Sequence, residues 1–300
     1  MTTPREAPLA VSVVLAAWAL VLGSGCAPRE HVLTGEAMGT TYRIKVVARS
    51  RPEAAGGAIR ALLEELDRCL STWREDSWIS AFNRDSGARP ARVPELVWPL
   101  LVEALELADE TGGCFDPTIG GLVELWGFGP HASGDFCPPS DDEIRRKLES
   151  CGYRKVTLRG GDRTIAKLHP ELALDLSAVA KGFAADRIGE ALERQGYTRF
   201  LVEFGGEIVA RGAPPGRRAW RVRTPHSSVP VLLADAALAT SGSEHQQHDG
   251  LSHLIDPRSG KPVRPGVPVT IQARTGTRAD GLATAEAIRR ATTSCRPPEP

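Results

Sequence analysis

The 300-residue chain has no excess of charge of either sign, with Lys plus Arg and Asp plus Glu both numbering 37. No overall field draws it to nucleic acid or to an acidic membrane, so an anionic ligand has to be held by local geometry. Cysteine is scarce. Six residues without any Cys-x-x-Cys or Cys/His spacing are too few for a disulfide scaffold and argue against a structural zinc site. Repeats and low-complexity blocks are missing, as are a Walker A loop and a G-x-G-x-x-G turn after a strand, so neither common nucleotide fingerprint applies. What remains is ordinary for a folded protein, with 41% hydrophobic and 25% charged residues. The length suffices for one large domain or two smaller ones.

An apolar run from Leu9 to Leu22 follows Arg5 and leads into Gly23-Ser24-Gly25-Cys26. It is short for a membrane-spanning helix and suits the core of a signal peptide. Small residues just before a cysteine resemble a bacterial lipobox, although Leu22 stands four residues before Cys26 where the usual pattern has Leu three before. The expectation is a signal peptide over 1–25 and a lipidated Cys26 at the mature N-terminus. Residues 26–300 would then form one exported domain, lipid-anchored on the periplasmic or extracytoplasmic face of a bacterial membrane. Acylation of Cys26 leaves an odd number of cysteines, hence at least one unpaired thiol.

Period-two alternation predicts a strand over Thr41–Val47. Ile59, Leu62, Leu63, Leu66 and Leu70 at helical spacing predict an amphipathic helix over Ala54–Ser71, and Pro94–Thr111 reads as another, stopped by Gly112-Gly113. Gly127–Ser140 is rich in Gly and Pro and reads as a surface loop. Asp141–Ser150 is a short helix, acidic at its start and basic later as the helix dipole favours. Strands are expected around Lys155–Leu158, Thr164–Leu168, Leu172–Leu176, Phe200–Phe204, Trp220–Thr224, Val231–Leu233 and Val267–Ala273. Helices are expected over Ser177–Gln195 and Asp280–Arg290. This interleaving implies α+β or mixed α/β architecture rather than a parallel dinucleotide-binding sheet.

Two segments carry chemistry. In Leu174–Gly182, Asp175 ends a strand, Ser177 can cap the next helix, and Ala178 and Lys181 share that helix's first-turn face. Free N–H groups and a positive dipole there suit a diphosphate, to which Lys181 adds a point charge. A capping Asp175 with a solvated Lys181 explains the same residues. In Ala279–Ala285, Asp280 would cap a helix, and Thr284 lies one turn on along the same face. A carboxylate plus a hydroxyl is a hard oxygen pair of the kind Mg²⁺ takes. An N-cap Asp with an outward Thr is the plain alternative.

These segments fall into an ordered set: Met38-Gly39-Thr40, Ser71-Thr72-Trp73, Cys114–Thr118, Asp175–Gly182, Gly205-Gly206, Thr240-Ser241-Gly242, His253–Pro257 and Asp280–Thr284. In order and spacing the set resembles the ApbE family, the FAD:protein FMN transferases, over almost all of the mature chain. The resemblance implies an ApbE-like, T-fold-related α+β fold of mixed sheets and packed helices. It also implies an enzyme that moves the FMN half of FAD onto a Thr or Ser hydroxyl of an acceptor protein, releasing AMP. Carried over, Mg²⁺ would be held by the Ala178 carbonyl and the side chains of Asp280 and Thr284. FAD, the substrate, would meet Asp175 and Lys181. Met38, Trp73, Cys114, Phe115, Asp116 and Ile255 would line the flavin and adenine pockets, while Lys181 and His253 would serve transfer. The acceptors implied are membrane redox proteins that carry covalent FMN. An FAD pyrophosphatase and a non-catalytic FAD-binding lipoprotein are the competing functions.

Two departures from the pattern stand out. Ser243 replaces the usual Asp or Asn, and the chain ends soon after Asp280–Thr284 in a polar, proline-ending tail. A shortened C-terminal part predicts an uncovered sheet edge and a last helix short of packing partners. Other conspicuous residues take plain readings. His245-Gln246-Gln247-His248 with His253 reads as a surface segment rather than a zinc site, Cys114 as a small packing residue and Arg217-Arg218 as a solvated turn.

Overall fold

The computed structural model describes residues 27–87, 89–131, 137–224, 227–242, 247–248, 250–293 and 295. Cys26 and the leader, Ser243 and His245 lie outside the described residues, as do 296–300 of the tail.

Six strands form the central sheet: β1 (Arg29–Ala37), β2 (Thr40–Ala48), β3 (Phe200–Phe204), β4 (Glu207–Arg211), β5 (Ala236–Ser241) and β6 (Val269–Ala273). Each pairs antiparallel with the next in that order. Two-residue turns link β1 to β2 through Met38-Gly39 and β3 to β4 through Gly205-Gly206, and all four turn residues have positive φ. A turn of that hand matches the strand twist, and Gly supplies it without strain. Met38, at φ 50°, is the residue that takes it at a cost. The register brings both turns to one end of the sheet, with Glu207 opposite Phe204, Phe204 opposite Tyr42, and Ser241 opposite Val269.

One sheet face, through Ile44, Val46, Val202 and Val209, packs into the main core with the helices. These are α1 (Glu53–Leu70), α2 (Trp78–Arg84), α3 (Trp98–Glu110), α4 (Gly120–Leu125), α5 (Asp141–Ser150), α6 (Ser177–Arg194) and α7 (Gly276–Ala291). The helices α6 and α7 lie on the sheet, with α1 and α3 packed on them. The opposite sheet face, through Val47, Ala210 and Leu238, is covered by a hairpin of Trp220–Val222 and Val231–Leu233. The alternation of the strands thus serves two cores.

Several expectations need correction. Leu172–Leu176 is not a strand. Its only ladder contact is a parallel bridge from Ala173 to Ile119, and the Asn83 side chain takes the place of a strand partner for Leu174. Ser177 does not cap α6, because the Asp175 carboxylate accepts the Ser177 N–H at 2.7 Å. Asp280 is no cap either, since α7 starts at Gly276 with Thr275 as N-cap. The last helix is also not short of partners, because Ala279, Asp280, Gly281, Ala283, Thr284 and Ile288 are all buried. Among the described residues β6 is the last strand in the sheet order.

Candidate functional site

The site begins where α6 crosses α7. Both helices carry glycine at the crossing, and a Cβ on Gly276 would fall 2.5 Å from the Gly182 carbonyl oxygen. A Cβ on Gly182 would strike the Gly276 carbonyl and come within 2.9 Å of the Asp280 Cβ. Only glycine permits this approach, which lets the buried Asp280 reach the first turns of α6. There Gly182 donates its N–H to Asp280 Oδ2 at 3.0 Å. A regular helix gives that N–H to the carbonyl four residues back, which is Ala178. With Asp280 drawing on the N–H, the Ala178 carbonyl keeps acceptor capacity for another partner. One turn beyond Asp280, the Thr284 hydroxyl donates to Ser241 Oγ at the end of β5, 3.4 Å away.

Lys181 crosses this group of oxygens. Its Nζ donates to Glu207 Oε1 at 2.9 Å and lies 4.0 Å from Asp280 Oδ1. Its stem runs beside Gly205, where an added Cβ would meet the Lys181 Cδ and Thr40 at 3.0 Å. The lysine is half-open, with its side chain 37% exposed, whereas both carboxylates are enclosed. Burial alone would lower the pKa of the ammonium, but Asp280 and Glu207 outweigh it and hold it above the ordinary lysine range. The same enclosure raises Asp280, and it lifts Glu207 to about 8, burial acting first and the Asp280 charge next.

The segment before α6 is a junction. Leu174 exchanges two hydrogen bonds with the Asn83 amide, at 2.8 and 2.9 Å. Asp175 N–H reaches Pro117 O at 2.8 Å, and Gly120 N–H reaches Ala173 O at 3.0 Å. The 114–118 loop and the α2 region that follows Trp73 are thereby tied to the start of α6. Asp116 keeps its carboxylate for its own loop, accepting from Thr118 N and Oγ1 and from Tyr153 N. Phe115 and Cys114 are core residues, and Cys114 Sγ donates to the Cys295 carbonyl. Ile255 is buried in a separate small cluster with Leu122, Trp126 and Ile144. His253 is half-buried in the turn before it. Trp73 is 70% exposed and so is not a core residue.

Given this arrangement, the match to known proteins is decisive. The model of the ApbE family matches residues 38–294. The chain belongs to the ApbE family. It is 37% identical to the FAD:protein FMN transferase of Vibrio cholerae, over 88% of this chain and 84% of that protein. Among solved structures it resembles the flavin transferase ApbE from Vibrio cholerae, with a TM-score of 0.79, 36% identity and 87% of both chains covered. The apo form of the Pseudomonas stutzeri flavinyl transferase ApbE superposes with a TM-score of 0.80 at 32% identity, covering 87% of this chain and 85% of that one.

Within this ApbE chain, four residues that shape the site or the scaffold beneath it escaped sequence reasoning. Glu207 joins Lys181 and Asp280, and Asn83 fixes the segment before α6. Asp186 accepts from Gly276 N, Thr277 N and Thr277 Oγ1 at 2.7 to 2.9 Å, anchoring the N-terminus of α7 to α6. Lys167 is buried and donates to the carbonyls of Phe82, Asn83 and Leu172. For Glu207 a signal existed in the Gly205-Gly206 turn just before it. For Asp186 there was its spacing of four from Gly182.

Proposed function

We propose that this chain transfers the FMN moiety of FAD to a Thr or Ser hydroxyl of an acceptor protein, releasing AMP, at a Mg²⁺ site made by Asp280, Thr284 and the Ala178 carbonyl. The observation that carries the reading is the Gly182 N–H to Asp280 bond, which sets the carboxylate of one helix against the N-terminal turn of the other. The donors fit the ion. A carboxylate with a hydroxyl and a carbonyl oxygen is a hard oxygen set of the kind Mg²⁺ takes, completed by phosphate and water oxygens. When bound, Mg²⁺ would neutralise charge on the diphosphate and favour departure of AMP.

The protein's own groups supply the rest. The first N–H groups of α6 and the Lys181 ammonium face the phosphates and hold them in line. His253 takes the proton of the acceptor hydroxyl, which is otherwise a weak nucleophile. Trp73 offers an open flat face for the isoalloxazine ring. The leader and Cys26 support a lipid-anchored, exported protein, with membrane redox proteins as acceptors. Among the described residues no helix is long and apolar enough to cross a membrane.

The test combines purified protein, FAD, Mg²⁺ and an acceptor peptide, read by mass spectrometry. An FMN-peptide with matching AMP is expected. AMP and free FMN with unmodified peptide would instead support a pyrophosphatase, and bound FAD without turnover a flavin-binding lipoprotein.

A further inference from the structure

Glu207 is the enclosed residue that neither the motif set nor the hydrogen-bond network accounts for. It opens β4, directly after the Gly205-Gly206 turn, and only 3% of its side chain is exposed. Its Oε1 accepts from Lys181 at 2.9 Å, while Oε2 is buried and meets no N–H or O–H donor, and the Asp280 carboxyl lies within side-chain hydrogen-bond reach of Glu207. A buried carboxylate oxygen left unpaired is costly, about 1–3 kcal/mol or more, and native proteins rarely tolerate one without a ligand to explain it. The charges point the same way. Glu207 and Asp280 are two enclosed carboxylates, and one ammonium, Lys181, stands between them. Two enclosed carboxylates share that one ammonium, and the group lies beside the Asp280–Thr284 face proposed above for a divalent cation.

We propose that Glu207 is a further cation-binding residue of this site, its Oε1 holding Lys181 and its free Oε2 entering the coordination sphere of the divalent ion. This rests on the Mg²⁺ reading of Asp280 and Thr284. The arrangement gives Glu207 a role beyond holding the lysine. It makes the cation bridge two strands of logic in the fold, the sheet end that carries Glu207 and the helix that carries Asp280. It also sets the Lys181 ammonium beside the ion, both facing the same phosphates. A glutamate whose only task is to hold Lys181 needs one oxygen, and the second would sit better in water.

The experiment is a Mn²⁺ titration followed by electron paramagnetic resonance, on FAD-free and FAD-loaded protein. Wild type is compared with Glu207→Gln, Glu207→Asp, Lys181→Met and Asp280→Asn, each first shown folded by circular dichroism. Glu207→Gln keeps the shape and can still accept from Lys181, so its Mn²⁺ dissociation constant is expected to rise about 10-fold or more. Should Glu207→Gln not fold, Glu207→Asp carries the test, its shorter carboxylate giving a smaller rise of about 3-fold. Lys181→Met separates the two roles. As a ligand neighbour it should leave Mn²⁺ affinity unchanged or tighter, because a competing positive charge is gone. A loss of affinity equal to that of Glu207→Gln would reduce Glu207 to a support for the lysine and overturn the proposal. Wild-type affinity in the Glu207 variants, with binding lost in Asp280→Asn, overturns it too while leaving the Mg²⁺ site intact. Absence of any Mn²⁺ binding by wild type, with or without FAD, removes the underlying reading as well.

Discussion

Lys167 and Lys181 are both drawn in from the surface, and the regions around them differ in what they leave undone. Lys167 is 6% exposed and spends its three N–H donors on the carbonyls of Phe82, Asn83 and Leu172 at 3.1, 3.3 and 3.1 Å. Burial pushes its pKa down, and only the charge of Asp85 pulls against it. Lys181 is more open and faces two carboxylates. The first region is closed on itself, every polar group answered by the chain. The second leaves one buried carboxylate oxygen, Glu207 Oε2, without an N–H or O–H donor. A buried cation with all its bonds made belongs to the scaffold, and an incomplete polar group beside a helix N-terminus marks where a ligand goes.

The comparison can be broken by substitution, beginning with the largest effect. Asp280→Asn should lower FMN transfer at least ~10³-fold, about 4 kcal/mol of barrier, with the fold retained by circular dichroism. Chelation of divalent ions should mimic it in wild type and be reversed by added Mg²⁺. Next comes the lysine pair. Lys181→Met should cut kcat about 10²-fold per folded molecule through the lost phosphate contact, beyond any loss of stability from leaving Glu207 and Asp280 without their counter-charge. By contrast, Lys167→Met strands three carbonyls and should cost about 2–3 kcal/mol in denaturant unfolding, while activity per folded molecule stays near wild type. If the two lysines give the same pattern, the distinction between scaffold and site fails.

Gly182→Ala comes third. Its methyl group meets the Gly276 carbonyl and the Asp280 side chain, so about 1–3 kcal/mol of stability should go, together with part of the activity. The two losses should be recovered together in a suppressor that reopens the helix crossing. The smallest effect is expected at the exposed aromatic. Trp73→Ala should weaken FAD binding about 10-fold, read by flavin fluorescence, and leave the melting temperature unchanged because the ring is 70% exposed. A large stability loss there would place the ring in the core.

Sequence reasoning reached these regions unequally. Helical spacing located α1 through Ile59, Leu63, Leu66 and Leu70, all buried. The Asp141–Ser150 helix and the Phe200–Phe204 strand came out with the bounds observed. The pieces that bear Lys181 and Asp280 were likewise readable, and so was the family. What stayed hidden depends on partners far along the chain. Asn83 and Leu174 are 91 residues apart and Gly182 and Asp280 are 98 apart, so no local pattern announces either bond. The Asp280 cap reading failed for that reason, whereas at Ser177 it is Asp175, two residues away, that accepts the first N–H. A short polar side chain near a helix start is a cap by default, and Asp280 escapes the default only because a second helix brings a glycine against it. For Glu207 the Gly205-Gly206 turn was the one signal, because a carboxylate at the head of a strand otherwise looks solvated.

The central claim is that the Lys181–Asp280–Thr284 region performs divalent-cation-dependent transfer of FMN to protein. The most direct measurement is intact-mass spectrometry of an acceptor peptide incubated with this chain and FAD, with Mg²⁺ and with chelator in parallel. The account predicts a peptide heavier by one FMN less the water lost in forming the ester, with an equal amount of AMP, in Mg²⁺, and neither with chelator. An unmodified peptide beside accumulating AMP and free FMN, or transfer that proceeds equally well in chelator, would contradict it.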